Sequence, residues 1–318
     1  MKNITVLFFF LLIKFQATAQ LFDRTKEGPA IRSYVLRLGA MQDRPLSDII
    51  DSFRAQKYDE IKMTYAIYSW IAENIAFDSR GFKNPNKAVH TTTATLKNRM
   101  ATGEGYAYLF QTMCDVAGIK CYTIHGIAKT HPIQIGRSDG IPAHSWNMVL
   151  IKNMLLFIDV TWGAGATDVK GNGFIKEFTD AWFFTNKDLF LMSHYSKDKN
   201  SPLPAGQMIA KADFLRAPVV YKAAVSLDIF PSPTVKGKIR GRKGAVKTLD
   251  FALRNSNVTI RNVSVVTMFG EISIPVKQYE DILVVDIPFA EAGEYGFTLK
   301  INGANAYGFM TSVSENER

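Results

Sequence analysis

The chain has 318 residues, 47% of them hydrophobic and 12% aromatic, enough to bury a core in one large or two ordinary domains. Its formal charge of +9 is basic, but no nucleic-acid motif accompanies the excess and no nucleic-acid partner is expected. The two cysteines form no CxxC pair, and no His-rich cluster is present, so neither a metal nor a cofactor is expected.

In chain order, MKNITVLFFFLLIKFQATAQ reads as a secretory signal: Lys2, an apolar run from Val6 to Ile13, then Ala17-Thr18-Ala19. The run is shorter than the roughly 20 residues that span a bilayer, so the mature chain is expected to carry no transmembrane segment. Cleavage after Ala19 predicts an exported protein, periplasmic or secreted. A leader follows. A helix is then predicted from Asp59 to about Ile75, where Ile61, Tyr65, Tyr68, Ala72 and Ile75 recur at helical spacing.

A polar loop runs through His90, and a second helix begins at the stretch ATGEGYAYLF, residues 101–110. Tyr106, Leu109, Phe110, Met113 and Ala117 form its apolar stripe, and Gly118 ends it as a C′ glycine would. Cys114 lies in this helix and Cys121 in the next strand, and both are expected to be buried free thiols. From Lys120 the pattern becomes that of strands: CYTIHGIAK, SWNMVLIK and MLLFIDVTW, the last two joined by a turn at Lys152-Asn153. Helices feeding an antiparallel meander define an α+β arrangement.

Two pieces of this region carry chemistry: HSWN at 144–147 and IDVTWG at 158–163. Counting outward from a two-residue turn sets His144 opposite Thr161, with Asp159 its diagonal neighbour on the same face. A one-residue shift of the turn would set His144 and Asp159 directly opposite. A carboxylate behind a histidine fixes its tautomer and stabilises imidazolium, as in a Cys-His-Asp triad, although such a pair can also simply tie two strands. Trp146 and Trp162 flank the pair and are expected to line a cleft, with a place in the core as the alternative for each. His90, His131 and His194 are expected at the surface, and His125 packed in its strand.

The triad's first member would come from a helix start, where the dipole and free N–H groups lower a thiol's pKa. The chain here resembles the transglutaminase-like superfamily, and within it the kyphoscoliosis peptidase-like branch. The resemblance rests on WIAENIAFD, TLKNRMATGEGYAYLFQTMCDVAGIK, HSWNMVLIKNMLLFIDVTWGAG and DAWFFTNKDLFLMSHY, from about Lys62 to Val220. Members carry a G/A-V-C-E-G-Y-A motif at the helix start, with Cys as nucleophile; here the frame reads Ala101-Thr102-Gly103-Glu104-Gly105-Tyr106-Ala107. The resemblance therefore implies a papain-like fold, His144 and Asp159 in the family's places, and Gly103 as a vacant nucleophile position with Thr102 and Glu104 beside it. Cys114 lies eleven residues along the helix, about 16 Å away at 1.5 Å per residue, too far to substitute.

Beyond Ala217-Pro218 the segments VYKAAVSLDIF, VKTLDFALR, VTIRNVSVVTMF, DILVVDIPF and YGFTLKING are separated by Gly, Pro and Asn at sandwich-like intervals. AEAGEYGF, 290–297, resembles the tyrosine corner of immunoglobulin-like sandwiches. The basic run KGKIRGRKGAVK, 236–247, is expected as a solvated hairpin, with contact to an anionic polymer as the alternative. The expected organisation is a signal over 1–19, a transglutaminase-like domain over 20–218 (core of the match 62–218), and an immunoglobulin-like sandwich over 219–318. The expected function is a pseudoenzyme whose cleft binds a peptide, a protein or an anionic cell-envelope polymer, or serves as a scaffold. The alternatives are an active cysteine-type peptidase or protein-glutamine acyltransferase, or a protein whose sandwich is the functional part.

Overall fold

In a computed structural model, residues 21–167, 171, 173–198, 201–255 and 257–315 are described, and the predicted signal lies outside them. Three helices open the described chain: α1 (Gly28–Leu38), α2 (Leu46–Arg54) and α3 (Glu60–Asn74). The stretch expected as a leader is thus folded, with Ile31, Val35, Ile49, Ile50 and Phe53 buried in one core with α3. Asp59 caps α3 by accepting the Lys62 N–H at 2.9 Å, and Ile75 closes it, matching the predicted span to a residue at each end.

A two-residue parallel pairing, Ala76–Phe77 with Met100–Ala101, brings the chain to α4 (Gly103–Ala117). Gly118 follows α4 at φ 82°, the left-handed conformation that glycine adopts without a Cβ penalty. A five-stranded antiparallel sheet packs on α4. Its strands are β1 (Cys121–Ala128), β2 (Ala143–Ile151), β3 (Met154–Ile158), β4 (Phe183–Thr185) and β5 (His194–Ser196), in the order β4-β3-β2-β1-β5. The β2–β3 turn is Lys152-Asn153, both residues at positive φ (50° and 61°), as a two-residue hairpin requires. Asn147 then pairs with Ile158, the register predicted by counting.

Both faces of this sheet are buried, which is why SWNMVLIK reads as a nearly continuous apolar run. Val149 and Ile151 face the core shared with α3 and α4, whereas Trp146 and Met148 belong to a second core that runs on into the carboxy-terminal strands.

Those strands are β6 (Val219–Val220), β7 (Ile229–Pro231), β8 (Lys238–Arg242), β9 (Val246–Leu253), β10 (Val263–Thr267), β11 (Gly270–Ile274), β12 (Lys277–Tyr279), β13 (Ile282–Pro288), β14 (Gly293–Ile301) and β15 (Ala304–Ser314). One sheet runs β6-β15-β14-β10-β11, with β8 also paired to β15, and the other runs β7-β9-β13-β12. Alternating burial along β9 and β13 shows a single buried face in each. The basic run is not a hairpin. Its two strands enter different sheets, β8 parallel to β15 and β9 between β7 and β13, because Ile239 and Leu249 must both reach the core. Arg240, Arg242 and Lys247 remain exposed. The Tyr295 hydroxyl donates to the Glu291 carbonyl at 3.1 Å, the upstream backbone bond of a tyrosine corner.

Lys129, fully buried, donates to the carbonyls of Phe214 and Ala217 at 2.6 Å each, fastening the end of β1 to the segment that leads into β6. Pro132 packs on Gly296 of β14 and Gly308 of β15. No described helix is long and apolar enough to cross a membrane.

Candidate functional site

Helix α4 points its first turn at β2. Tyr106 anchors it from below by donating to the Ile75 carbonyl at 2.6 Å, and Asn147 of β2 donates to the Ala107 carbonyl at 3.0 Å. These bonds fix Gly103 beside His144. A Cβ placed on Gly103 would lie 3.0 Å from His144 Nδ1, 3.2 Å from its Cε1 and 3.7 Å from Thr161 Oγ1. Position 103 therefore projects onto the imidazole, and the ring closes over a glycine that offers no side chain.

The other ring nitrogen of His144, Nε2, lies 2.7 Å from Asp159 Oδ2. The pair forms as predicted, but not as two strand neighbours. Strand β3 ends at Ile158, and Asp159 is the N-cap of the short helix α5 (Val160–Ala164), its Oδ1 accepting the Trp162 N–H at 3.0 Å. An aspartate can satisfy a free helix N–H, and here that outweighs the strand preference of the Val-Thr-Trp run.

A third residue completes the site. His194, expected at the surface, is fully buried at the start of β5; its Nε2 lies 3.1 Å from the same Asp159 Oδ2 and its Nδ1 3.1 Å from the Phe190 carbonyl. The polar residues around it suggest a loop, yet helix α6 (Lys187–Ser193) delivers it to the first position of the edge strand β5, inside the core. Asp159 is fully buried too, and the His144 side chain is only 10% exposed. Burial alone would raise the Asp159 carboxyl. The charge of His144 and the hydrogen bonds from His144 and His194 outweigh it and hold the carboxyl well below its usual range. Burial pulls His194 below the ordinary histidine value. The ligand atoms of His144, Asp159 and His194 lie within 4.8 Å of one another, and this is the group among the described residues that could hold a metal ion.

The predicted cleft residues divide. Trp162 is half-buried and stacks on His144 (centroids 5.4 Å, 24°) and against His194 (4.4 Å), so it belongs to the site. Trp146 does not line a cleft: at 2% exposure it is a core residue, wedged against Phe190 and His194, because its face of β2 is covered by the core that runs on into the carboxy-terminal strands. Thr102 is the N-cap residue of α4 but makes no side-chain cap; its hydroxyl is nearly buried, 3.4 Å from the Val89 carbonyl. Glu104 is half-exposed in the first turn and accepts from Tyr108 at 3.2 Å. His125, expected to be packed, keeps 41% of its side chain exposed and bonds Ser145 Oγ at 3.0 Å. His90 and His131 are exposed, as expected. Cys114 and Cys121 are free and buried, and burial together with the Cys121 contact pushes the Cys114 thiol well above its usual value.

A helix start facing a histidine backed by an aspartate defines a class, and comparison with known proteins gives the same one. Residues 47–162 match the family model described as the transglutaminase-like superfamily. The chain is 29% identical over 156 residues to kyphoscoliosis peptidase of Mus musculus, covering 49% of this chain and 24% of that protein. It is 25% identical over 170 residues to the Lim and transglutaminase domain protein ltd-1 of Caenorhabditis elegans, covering 48% of this chain and 22% of that one. Residues 47–162 therefore carry a transglutaminase-like domain, and this part of the chain is similar to kyphoscoliosis peptidase. The chain thus spans about a quarter of the length of the curated relatives it matches. Among solved structures, a TGase aligns over 52% of this chain and 39% of its own at 16% identity and TM-score 0.29. The Lin-41 filamin domain aligns over 27% of this chain and 91% of its own at 11% identity and TM-score 0.21. Those scores add nothing to the assignment.

Proposed function

We propose that this is an exported protein whose transglutaminase-like domain performs no covalent chemistry and binds a peptide or cell-envelope polymer at the relic of its site. The observation that carries the reading is the 3.0 Å approach of a Gly103 Cβ to His144 Nδ1. It supports position 103 as the seat of the nucleophile, and glycine has nothing to attack with. Among the described residues no neighbour is placed to take over. The Thr102 hydroxyl turns to the Val89 carbonyl, and both thiols are buried further along the fold, Cys114 with its proton held firmly. Trp162 offers a half-open aromatic wall beside His144, and Arg240, Arg242 and Lys247 give the sandwich an exposed basic strip suited to an anionic polymer.

The test is incubation of the mature protein with a thiol-directed probe, mapped by mass spectrometry, beside turnover assays with peptide and glutamine-donor substrates. Neither labelling at the cleft nor turnover is expected. Thiol-dependent turnover abolished by Cys114→Ala or Cys121→Ala would overturn the reading in favour of a working cysteine-class enzyme.

A further inference from the structure

We propose that His144, His194 and Asp159 form a binding site for one first-row divalent cation of the zinc type. His194 poses a hydrogen-bonding problem that such an ion solves. Its Nδ1 faces the Phe190 carbonyl and its Nε2 faces Asp159 Oδ2, each at 3.1 Å. Both oxygens only accept, while a neutral imidazole has a single N–H to give. If Nε2 carries the proton and donates to Asp159, the Nδ1 lone pair is turned on the Phe190 carbonyl; if Nδ1 carries it, the Nε2 lone pair is turned on the carboxylate oxygen, and either conflict is fully buried. A cation between Nε2 and Oδ2 lets Nδ1 donate to the carbonyl and turns the other contact into two bonds.

The rest of the geometry fits the same ion. His144 Nε2 reaches the same oxygen at 2.7 Å, so two imidazole nitrogens and one carboxylate oxygen converge within 4.8 Å. Two histidines and a carboxylate are a ligand set that takes zinc and its neighbours in the first transition row. Ligating histidines commonly give their second N–H to a backbone carbonyl, which fixes the tautomer; the Phe190 carbonyl, 3.1 Å from Nδ1, is placed to accept it. The carboxylate is itself oriented, since Oδ1 holds the Trp162 N–H. Trp162 stacks on His144 and packs at a tilt against His194, covering both rings on one side. Nδ1 of His144 still faces position 103, so the ion would lie one imidazole away from the glycine.

This goes beyond the silent-cleft reading and fails separately from it: a thiol probe reports on position 103, a cation titration on the three ligands. The mature protein, stripped with a chelator, is titrated with CoCl2 and then ZnCl2. We expect one Co2+ per chain with visible absorption bands, displaced by Zn2+. His194→Gln should weaken binding about tenfold or more, while a His90→Ala, His131→Ala control leaves it unchanged. Absence of one-to-one binding in wild type, or binding lost in the control and kept in His194→Gln, overturns the proposal. Should His194→Gln not fold, the side-chain 15N spectrum of the wild type with one equivalent of Zn2+ decides: the Nε2 resonances of His144 and His194 are expected to shift on binding, and an unshifted His194 Nε2 would overturn the site.

Discussion

A cysteine side chain at position 103 would begin 3.0 Å from His144 Nδ1, closer than a Cβ ordinarily sits, so the imidazole would have to withdraw by a few tenths of an ångström. The backbone raises no objection, because Gly103 is not among the positive-φ glycines. Gly103→Cys should therefore fold and present a thiol at a helix N-terminus beside a histidine, two influences that lower its pKa. We expect it to alkylate readily well below about pH 8.5, the value for free cysteine, followed by iodoacetamide kinetics against pH. A folded but unreactive thiol would show that His144 does not serve that position. Lys129 provides a second test at this scale. Burial pushes its ammonium down to about 7, whereas the unfolded chain holds that proton to about pH 10.4. Between those values the unfolded state binds more protons, so stability should rise with pH across the interval and be flat below it. Lys129→Met should abolish the slope between pH 7 and about 10 in urea melts, and an undiminished slope would mean that the ammonium is not its source. His144 and Asp159 are legible in the sequence as partners because a two-residue turn makes register a matter of counting. His194 is not: it lies 35 residues from Asp159 along the chain, and no periodicity links the two.

Among the elements, the tyrosine corner gives a quantity to measure. Tyr295→Phe removes the 3.1 Å bond to the Glu291 carbonyl and leaves the ring in place, and should cost about 1 kcal/mol, read as a lowered urea midpoint at unchanged slope. No loss would mean that water satisfies that carbonyl equally well. The motif is readable because Gly293, at φ 119°, and Tyr295 sit two apart at a strand start. Longer elements such as α3 and α4 are readable to within a residue or so, since each combines a stripe with a cap or a terminal glycine. Short elements escape such reading. Helices α1 and α2, of 11 and 9 residues, are below the length at which a helix stands alone, and packing on α3 stabilises them. The basic arch reads as a hairpin because a Gly-centred turn between two strands looks the same whether the strands pair or part into two sheets.

At the scale of the whole molecule, the sequence changes character at Ala217-Pro218, and Val219 is the first residue to pair into the carboxy-terminal sheet. The apolar core ignores that mark: Trp146, Met148, Phe157 and Phe190 share one cluster with Phe251, Leu299 and Phe309. We therefore expect a fragment beginning at Val219 to fold with a β-type circular dichroism spectrum, yet to melt below the intact chain, which should unfold in one transition. Separate transitions in the intact chain would mean the shared core couples nothing. The proposed export is checked by amino-terminal sequencing of exported material, which should start near Gln20; an intact Met1 in membrane fractions would identify an anchor instead.

Asp159 has two oxygens with two duties, one toward the histidines and one holding the first turn of α5. Folding alone would then favour an aspartate at 159, whether or not position 103 carries a nucleophile. A histidine–aspartate pair of this kind is therefore no sign of turnover by itself, and the residue at the start of the helix has to be read beside it.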